Sequence, residues 1–476
     1  MDTEVSRLSA TEVAGLIRTG GLSCTEAVSS ILDQVSRTDP VVHALHTLDA
    51  EGALAQAAHL DRILRDHGPV GPLHGVPVTV KDVVATRGLR TTYGSAAYRD
   101  LVPNHDAPSV TLLRDAGVVI IGKTTTPEFG HKAVTDGPLG PATVNPWDTS
   151  RTAGGSSGGA AAAVACGMGP IAVGTDGGGS IRVPAALCGV VGIKPTTGTV
   201  PTYPPSVIGP LGHTGPIART VRDVAVALAV LQGAGPAVAP LLASLERART
   251  EGLPGVRVGL FTTVNGIFVE PELVRAVEVA AAAFEALGAR VEPVELSVSG
   301  FEQIWDMLFS AGMAAQAQIL PPDSWPLLSD SFRTVVEWAR EQPEGEAQLA
   351  EARRIRLARE VSALFGGFDV LLGPSVSVPA FEVGIDGPEV LNGTPADSRA
   401  WWRLTQLWNL CGQPACSLPF GRTATGLPIG VQLIARVGQD FELLRYAAAL
   451  ELPWPVPPVV SGETRLPAST GPDPTR

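Results

Sequence analysis

A serine hydroxyl follows three consecutive glycines in the segment GTDGGGSIRVP, residues 174–184. Glycine has no Cβ, so a glycine run lets several backbone N–H groups approach one point. Such a cluster of donors beside a hydroxyl is typical of an oxyanion hole next to its nucleophile. Ser180 is therefore a candidate nucleophile, and it needs a base. The chain has eight histidines, none in a recognisable triad motif, and a serine–lysine arrangement is the alternative.

Lysine is rare in this chain and confined to one region. Only four of the 35 basic side chains are lysines: Lys81, Lys123, Lys132 and Lys194. Lys81 lies in the apolar segment PVTVKDVV, residues 77–84. Burial disfavours the ammonium form and lowers the pKa of a lysine, which then can act as a base near neutral pH. The alternative is a buried structural lysine paired with an acid such as Asp82.

A second glycine–serine segment, TAGGSSGGAAAAV at residues 152–164, precedes a predicted alanine-rich helix. A phosphate-binding P-loop would end in Gly-Lys-Ser/Thr, whereas Ala160 follows Gly159 here. The spacing also differs from that of a nucleophile elbow or a dinucleotide-binding loop. The segment either presents serine hydroxyls in a close-packed turn or is a glycine-rich turn with only a structural role.

Lys81 and the two glycine–serine segments together resemble the amidase signature family. Lys81 and Ser156 are 75 residues apart and Ser156 and Ser180 are 24 apart, which agrees with the pattern of that family. The resemblance extends over roughly residues 8–450. It includes five shorter segments: GKTTTPEFG at 122–130, NPWD at 145–148, GPIART at 215–220, GQPACSLP at 412–419 and GLPIGVQLIA at 426–435.

The resemblance implies a catalytic role for each of three residues. Ser180 corresponds to the acyl-forming nucleophile, Ser156 to a bridging serine preceded by a cis peptide bond, and Lys81 to the base that draws a proton through Ser156. The oxyanion hole would consist of backbone N–H groups, those of Gly177, Gly178, Gly179 and Ser180. No metal or organic cofactor is implied.

Further positions match the surroundings of the catalytic residues in that family. The resemblance implies supporting hydrogen bonds from Ser157, Asp176 and Arg182. It also places three residues beside the scissile bond, Phe129, Gly130 and His131, although His131 could instead be a hydrogen-bonded wall residue. Two positions depart from the family pattern. Thr125 replaces a common asparagine, and Gly177 replaces a larger residue, which predicts a looser oxyanion hole or a wider acyl pocket.

The elements that would position these residues alternate between strand and helix, which indicates an α/β core. The resemblance implies one large amidase signature domain over residues 1–455, with a mixed central β-sheet covered by helices on both faces. A Pro/Ser/Thr-rich tail follows at 456–476. Helices are predicted within 9–37 (two) and over 50–67, 109–115, 271–287, 301–319, 330–365, 398–411 and 440–450. Strands are predicted over 77–84, 118–124, 255–261, 369–375, 415–420 and 428–435, with a surface loop at 234–240.

Composition excludes several other classes of protein. The 476 residues carry a formal net charge of −12, which disfavours binding to nucleic acid or an anionic membrane. Residues 152–175 lack charge, but their glycines, alanines and Pro170 favour a buried segment over a membrane span. Five widely spaced cysteines without a CxxC motif predict reduced, mostly buried thiols in a cytoplasmic protein. No signal peptide is recognised, and a homodimer is expected.

Two functions from different classes follow. The first is a free-standing amidohydrolase that cleaves a small-molecule amide to an acid plus ammonia or an amine. The second is the glutamine-hydrolysing subunit of an amidotransferase complex, for which a D-Q-I-G-P segment is expected. The corresponding residues, 211–216, read LGHTGP, which favours the first. A degenerate binding protein is disfavoured because Lys81, Ser156 and Ser180 are all present.

Overall fold

The computed structural model describes residues 5–235 and 238–461. Its strands are β1 (Leu45–Leu48), β2 (Pro77–Lys81), β3 (Val119–Thr124), β4 (Val144–Asn145), β5 (Asp148–Thr152), β6 (Ile171–Asp176), β7 (Val191–Lys194), β8 (His213–Ala218), β9 (Arg257–Leu260), β10 (Arg290–Pro293), β11 (Val370–Pro374), β12 (Val390–Leu391), β13 (Thr394–Pro395), β14 (Ala415–Arg422) and β15 (Pro428–Ala435).

The α-helices surround these strands. They are α1 (Ala10–Thr19), α2 (Cys24–Val42), α3 (Ala50–His67), α4 (Pro108–Asp115), α5 (Gly158–Ala165), α6 (Arg182–Cys188), α7 (Val221–Leu231), α8 (Val238–Glu251), α9 (Pro271–Ala286), α10 (Phe301–Gln318), α11 (Asp330–Arg340), α12 (Glu346–Leu364), α13 (Gln406–Cys411), α14 (Asp440–Leu450) and α15 (Pro458–Ser461).

Eleven strands form one central sheet in the order β1-β3-β2-β6-β8-β7-β14-β15-β11-β9-β10. The sheet is mixed, because β2 runs parallel to β3 and β6, whereas β8, β14 and β15 pair antiparallel with their neighbours. The predicted α/β class with a mixed central sheet between helices is confirmed. The stated limits of the domain, 1–455, stay a prediction.

Helix α5 explains the uncharged segment at 152–175. All eight of its residues are buried and none has a side chain larger than valine. Such small residues let the helix approach its neighbours closely: a Cβ added to Gly159 would lie 2.1 Å from Thr125 Oγ1. The segment is therefore part of the core. In the part of the chain that the structure describes, no helix is long and apolar enough to cross a bilayer.

Several predicted boundaries differ from the structure, and three of them are instructive. The helix expected over 330–365 is broken at residues 341–345, where Pro343 lacks an N–H and Gly345 has φ 86°. The strand expected over 77–84 ends at Lys81, because Val84 N–H turns back to the Lys81 carbonyl. Helix α8 begins at Val238, inside the predicted loop. Residues 236–237 of that loop and 462–476 of the tail lie outside the described residues.

Sheet topology places the candidate residues at the carboxyl ends of neighbouring strands. Strands β2 and β6 are parallel neighbours, with Val80 opposite Val173. Their carboxyl ends carry Lys81 and Asp176, respectively. Ligands bind at the carboxyl ends of parallel strands in α/β folds. The turn that follows β6 contains Ser180 and leads into α6. The Ser157 N–H bonds to the Ser180 carbonyl, so both glycine–serine segments lie at these carboxyl ends.

Candidate active site

Lys81 is fully buried and contacts Ser156. Its Nζ lies 2.7 Å from Ser156 Oγ and 2.9 Å from Thr175 Oγ1. The peptide bond between Gly155 and Ser156 is cis. Asp82 points elsewhere, since its Oδ2 accepts hydrogen bonds from the Thr92 N–H and hydroxyl. The alternative in which Lys81 pairs with Asp82 is therefore wrong.

Burial lowers the pKa of Lys81 to about 7, against an opposing effect of the Asp176 carboxylate. Burial also lowers the pKa values of Lys123 and Lys194 to about 7. A depressed pKa thus does not by itself distinguish Lys81. Its contact with a serine hydroxyl does, because Lys123 instead contacts the hydroxyls of Thr86 and Thr91, at 2.9 and 3.2 Å.

Ser180 lies in the turn between β6 and α6 and lines a cavity of about 280 Å³ together with Ser156. Its carbonyl accepts a hydrogen bond from the Ser157 N–H at 3.1 Å, which ties this turn to the start of α5. No hydrogen bond among the described residues joins Ser180 Oγ to Ser156 Oγ. The structure thus places both hydroxyls in one cavity but brings only that of Ser156 into contact with Lys81. Catalytic hydrogen bonds often close only when substrate binds.

A histidine base for Ser180 is not supported by the geometry. His213 lines the same cavity. However, its Nδ1 lies 2.8 Å from the Leu211 carbonyl and its Nε2 lies 2.9 Å from Thr197 Oγ1. Burial, followed by the nearby Lys194 ammonium, lowers the pKa of His213 to about 3. Both ring nitrogens are committed, which leaves the serine–lysine arrangement.

Hydrogen bonds to backbone carbonyl groups hold the glycine turn, residues 176–180, in place. The Asp176 carbonyl accepts from Asn409 Nδ2 at 3.0 Å and the Gly177 carbonyl from Trp305 Nε1 at 2.8 Å, while the Gly178 carbonyl accepts from the Thr405 hydroxyl. The Gly179 N–H donates to Asp176 Oδ1 at 2.7 Å. That last bond corrects the predicted oxyanion hole, because the Gly179 N–H is committed to a carboxylate. The other predicted donors, the amides of Gly177, Gly178 and Ser180, have no partner among the described residues.

A buried ion pair supports the turn from beneath. Arg182 donates to both carboxylate oxygens of Asp176, from Nε and Nη2 at 3.0 Å each, and both side chains are fully buried. Burial alone would raise the pKa of Asp176, but the Arg182 guanidinium and the Asn409 amide outweigh it and hold that pKa well below its usual range. Arg182 also donates to Gln432 Oε1 at 2.7 Å. Asp176 is thus a charged anchor for the turn.

Replacement of Arg182 by methionine is expected to lower the free energy of unfolding by about 3–5 kcal/mol, because it leaves the Asp176 carboxylate buried without its cation. Urea unfolding measures this change. The matched control is Arg353→Met, which removes an exposed ion pair with Glu346 and should cost under about 1 kcal/mol. Equal losses in the two variants would contradict the anchoring role.

Phe129 and Gly130 line the cavity that contains Ser156 and Ser180, whereas His131 does not. A Cβ added to Gly130 would lie 3.1 Å from Ser156 Oγ, so the backbone approaches the serine closely here. Phe129 and Gly130 have φ of 50° and 68°, which turns the chain away. His131 consequently lines a second cavity, and its ring nitrogens lie 2.7 Å from the Glu128 carbonyl and 2.9 Å from Ser331 Oγ. These contacts match the alternative stated for His131, a hydrogen-bonded wall residue.

Gly177 does not leave empty space in the turn. A Cβ added there would lie 2.6 Å from Ile208 Cδ1, so the Ile208 side chain occupies the volume that a larger residue would fill. A residue from a different loop thus takes up space that the missing side chain leaves, and the looser oxyanion hole or wider acyl pocket stays a prediction.

Several residues of the site were not singled out from the sequence. Thr175, which contacts Lys81, lies within the glycine–serine segment and could have been found from its position in β6. Asn409 and Thr405 reach the turn, and Gln432 reaches Arg182 beside it, from more than 220 residues away in the sequence. Gln432 lies in the recognised segment at 426–435, but nothing in that segment shows what Gln432 touches.

The comparisons with known proteins agree with the fold and the site. Residues 26–444 match the Amidase family. The chain is 36% identical to an acylamidase of Rhodococcus erythropolis, over 94% of this chain and 96% of that protein. It is 35% identical to one component of the glutamyl-tRNA(Gln) amidotransferase of Acidothermus cellulolyticus, over 94% and 95% of the two chains. The chain therefore belongs to the amidase signature family and is an amidase-family hydrolase.

Solved structures show the same fold. The structure of a bacterial aryl acylamidase of the amidase signature family matches with a TM-score of 0.85 and 30% identity, over 93% of this chain and 95% of that one. A 6-aminohexanoate cyclic dimer hydrolase matches with a TM-score of 0.86 and 31% identity, over 96% and 100% of the chains. The amidase signature fold expected from the sequence is thereby confirmed.

Proposed function

We propose that this protein hydrolyses carboxylic amides through an acyl-enzyme on Ser180. The observation that carries the proposal is the 2.7 Å contact of the buried Lys81 amine with Ser156, in a cavity that Ser180 also lines. A buried amine with a pKa near 7 is neutral in a large fraction of molecules at physiological pH. It can therefore accept a proton through an adjacent hydroxyl.

The proton relay follows from these contacts. Ser180 Oγ attacks the amide carbon and passes its proton to Ser156 Oγ, while Ser156 passes its own proton to Lys81 Nζ. Unpaired backbone N–H groups of the glycine turn stabilise the resulting oxyanion. When the C–N bond breaks, the leaving nitrogen takes a proton back from Lys81 through Ser156. Water then cleaves the ester on Ser180 by the same relay and releases the acid.

The walls of the cavity favour an uncharged, apolar amide. They include the side chains of Tyr93, Phe129, Tyr203, Ile208, Phe309 and Met313. The described lining contains no arginine or lysine, and its single carboxylate, that of Asp176, is paired with Arg182. Apolar walls with few polar groups select ligands mainly by shape and burial of surface. An aryl or medium-chain acyl amide fits this chemistry.

The relatives that belong to amidotransferases make glutamine hydrolysis the second candidate function. Free glutamine carries an α-carboxylate and an α-ammonium group. Burying either without a partner of opposite charge is unfavourable. The described cavity lining offers no such unpaired side chain. The free-standing amidohydrolase is therefore the better supported function.

A panel of amides tests the proposal. Benzamide, anilides, aliphatic amides and glutamine are incubated with the purified protein, and ammonia or amine release is measured. We expect kcat/KM for the best neutral aryl or aliphatic amide to exceed that for glutamine by at least about 100-fold, since an unpaired buried charge costs several kcal/mol. Glutamine as the preferred substrate, or a copurifying partner needed for activity, would favour the amidotransferase function instead.

A further inference from the structure

Of the side chains outside the glycine–serine segments that bond to carbonyls of the oxyanion turn, one comes from α10. Trp305 of α10 donates a hydrogen bond from its indole Nε1 to the carbonyl of Gly177, at 2.8 Å. The side chain is 3% exposed, so this bond forms in surroundings from which water is largely excluded. Hydrogen bonds in such surroundings are stronger and more directional than those in water.

Because a peptide unit is planar, this contact also fixes the direction of a backbone N–H donor. In a trans peptide unit, the carbonyl of one residue and the N–H of the next lie in one plane and point in opposite directions. The Gly177 carbonyl and the Gly178 N–H belong to the same unit. By holding the carbonyl, the indole directs the Gly178 N–H to the opposite side of the turn.

The same turn lines the catalytic cavity. Trp305 lines a second cavity, of about 430 Å³, which also contacts His131 and Trp402. Gly177 and Ser180 line the catalytic cavity, and Phe309 lines both. The indole therefore bonds to a carbonyl of the turn that carries Ser180. The Gly178 N–H, which has no partner in the described part of the chain, points away from that indole.

Packing fixes the indole in this position. Phe309 stacks on it with ring centroids 4.4 Å apart and planes 15° apart, and Trp402 packs edge-on at 5.1 Å. The ring also lies directly against the turn, since a Cβ added to Gly178 would come within 2.6 Å of Trp305 Cζ2. Gly178 is therefore required for the approach, and the ring cannot shift along the turn without losing its stacking.

We propose that Trp305 is a positioning residue that aims the Gly178 N–H at the oxyanion of the transition state. The inference rests on the proposed amide hydrolysis at Ser180. It assigns to α10 a role in the rate of the chemical step, through a bond to a backbone carbonyl and without contact to the substrate.

The test is Trp305→Phe, which keeps an aromatic ring and removes the donor. Removing one oxyanion donor lowers kcat by about 10²–10³-fold in serine hydrolases, and loss of its alignment is a partial form of that defect. We expect kcat for an amide that the wild type hydrolyses to fall by about 10–100-fold, with KM changed less than about threefold. Affinity for the boronic acid with the same acyl substituent, which forms a tetrahedral adduct on Ser180, should fall in parallel with kcat.

The matched control is Trp147→Phe, an identical change that also removes an indole bond to a backbone carbonyl, that of Cys188 at 2.9 Å, at a side chain that lines neither cavity. It should retain kcat and boronic acid affinity within about threefold. If Trp305→Phe does not fold, β-(3-benzothienyl)alanine at position 305 preserves the indole shape and replaces only the N–H by sulfur. The same loss in that protein supports the proposal.

The outcomes separate this inference from the proposed function. A wild-type protein that hydrolyses no amide and binds no boronic acid would overturn both. Wild-type hydrolysis together with equal kcat values for Trp305→Phe and Trp147→Phe would overturn only the role of Trp305. A loss confined to KM would also overturn it, because the Gly178 N–H would then act in ground-state binding.

Discussion

Replacement of Ser180 by alanine is expected to lower kcat for amide hydrolysis by at least about 10⁴-fold, because no other nucleophile is proposed in the cavity. Removal of the nucleophile in serine hydrolases costs up to about 10⁶-fold. Covalent labelling by a fluorophosphonate should disappear in the same variant. Intact-mass spectrometry after labelling measures this result independently of substrate choice.

The control for labelling is Ser36→Ala, in which an exposed serine of α2 is lost and the labelled fraction should remain that of the wild type. A Ser180→Ala protein that is still fully labelled would show that the nucleophile lies elsewhere. Ser156 would then be the first residue to examine, since its hydroxyl contacts Lys81.

Replacement of Lys81 by methionine is expected to lower kcat/KM by about 10³–10⁴-fold, since the relay loses its proton acceptor. Methionine fills the volume of the lysine methylene groups, while the hydroxyls of Ser156 and Thr175 lose their bond to the amine. Amide hydrolysis measured across pH tests the same residue in the wild type. Lys81 acts as a base only when neutral, so kcat/KM should rise with pH through about 7 and level off above it.

Lys123→Met is the matched control for Lys81→Met. Lys123 is equally buried and its pKa is lowered to about 7 as well, but it contacts Thr86 and Thr91. This variant should lose stability and keep the rise of kcat/KM near pH 7. A Lys81→Met protein whose residual activity shows the same acidic limb as the wild type would contradict the assignment of the base.

The strands and serines of the candidate site could be predicted from the sequence more fully than the side-chain contacts that hold them. The β2 segment was recognised because its residues are apolar and β-branched, and Ser156 and Ser180 were recognised because glycines flank them. These signals are local. The contacts of Asn409 and Thr405 with the turn were not predicted, because an asparagine in a predicted helix has no feature that reveals its partner over 200 residues away.

His131 illustrates why the sequence left two alternatives open. Phe129 and Gly130 line the cavity, but the left-handed backbone of both residues redirects the next side chain. Such a reversal depends on φ values that residue type alone does not fix for phenylalanine. The space beside Gly177 could not be judged from the sequence for a related reason, since Ile208 reaches it from another loop.

The dependence of the glycine turn on Asn409 and Gln432 has a consequence for biosynthesis. A nascent chain of 300 residues already contains Lys81, Ser156 and Ser180, yet it lacks the helix and the strand that supply those two side chains. The glycine turn can therefore be held in place only after the ribosome has synthesised residues 406–435 and these have packed against the earlier part of the chain.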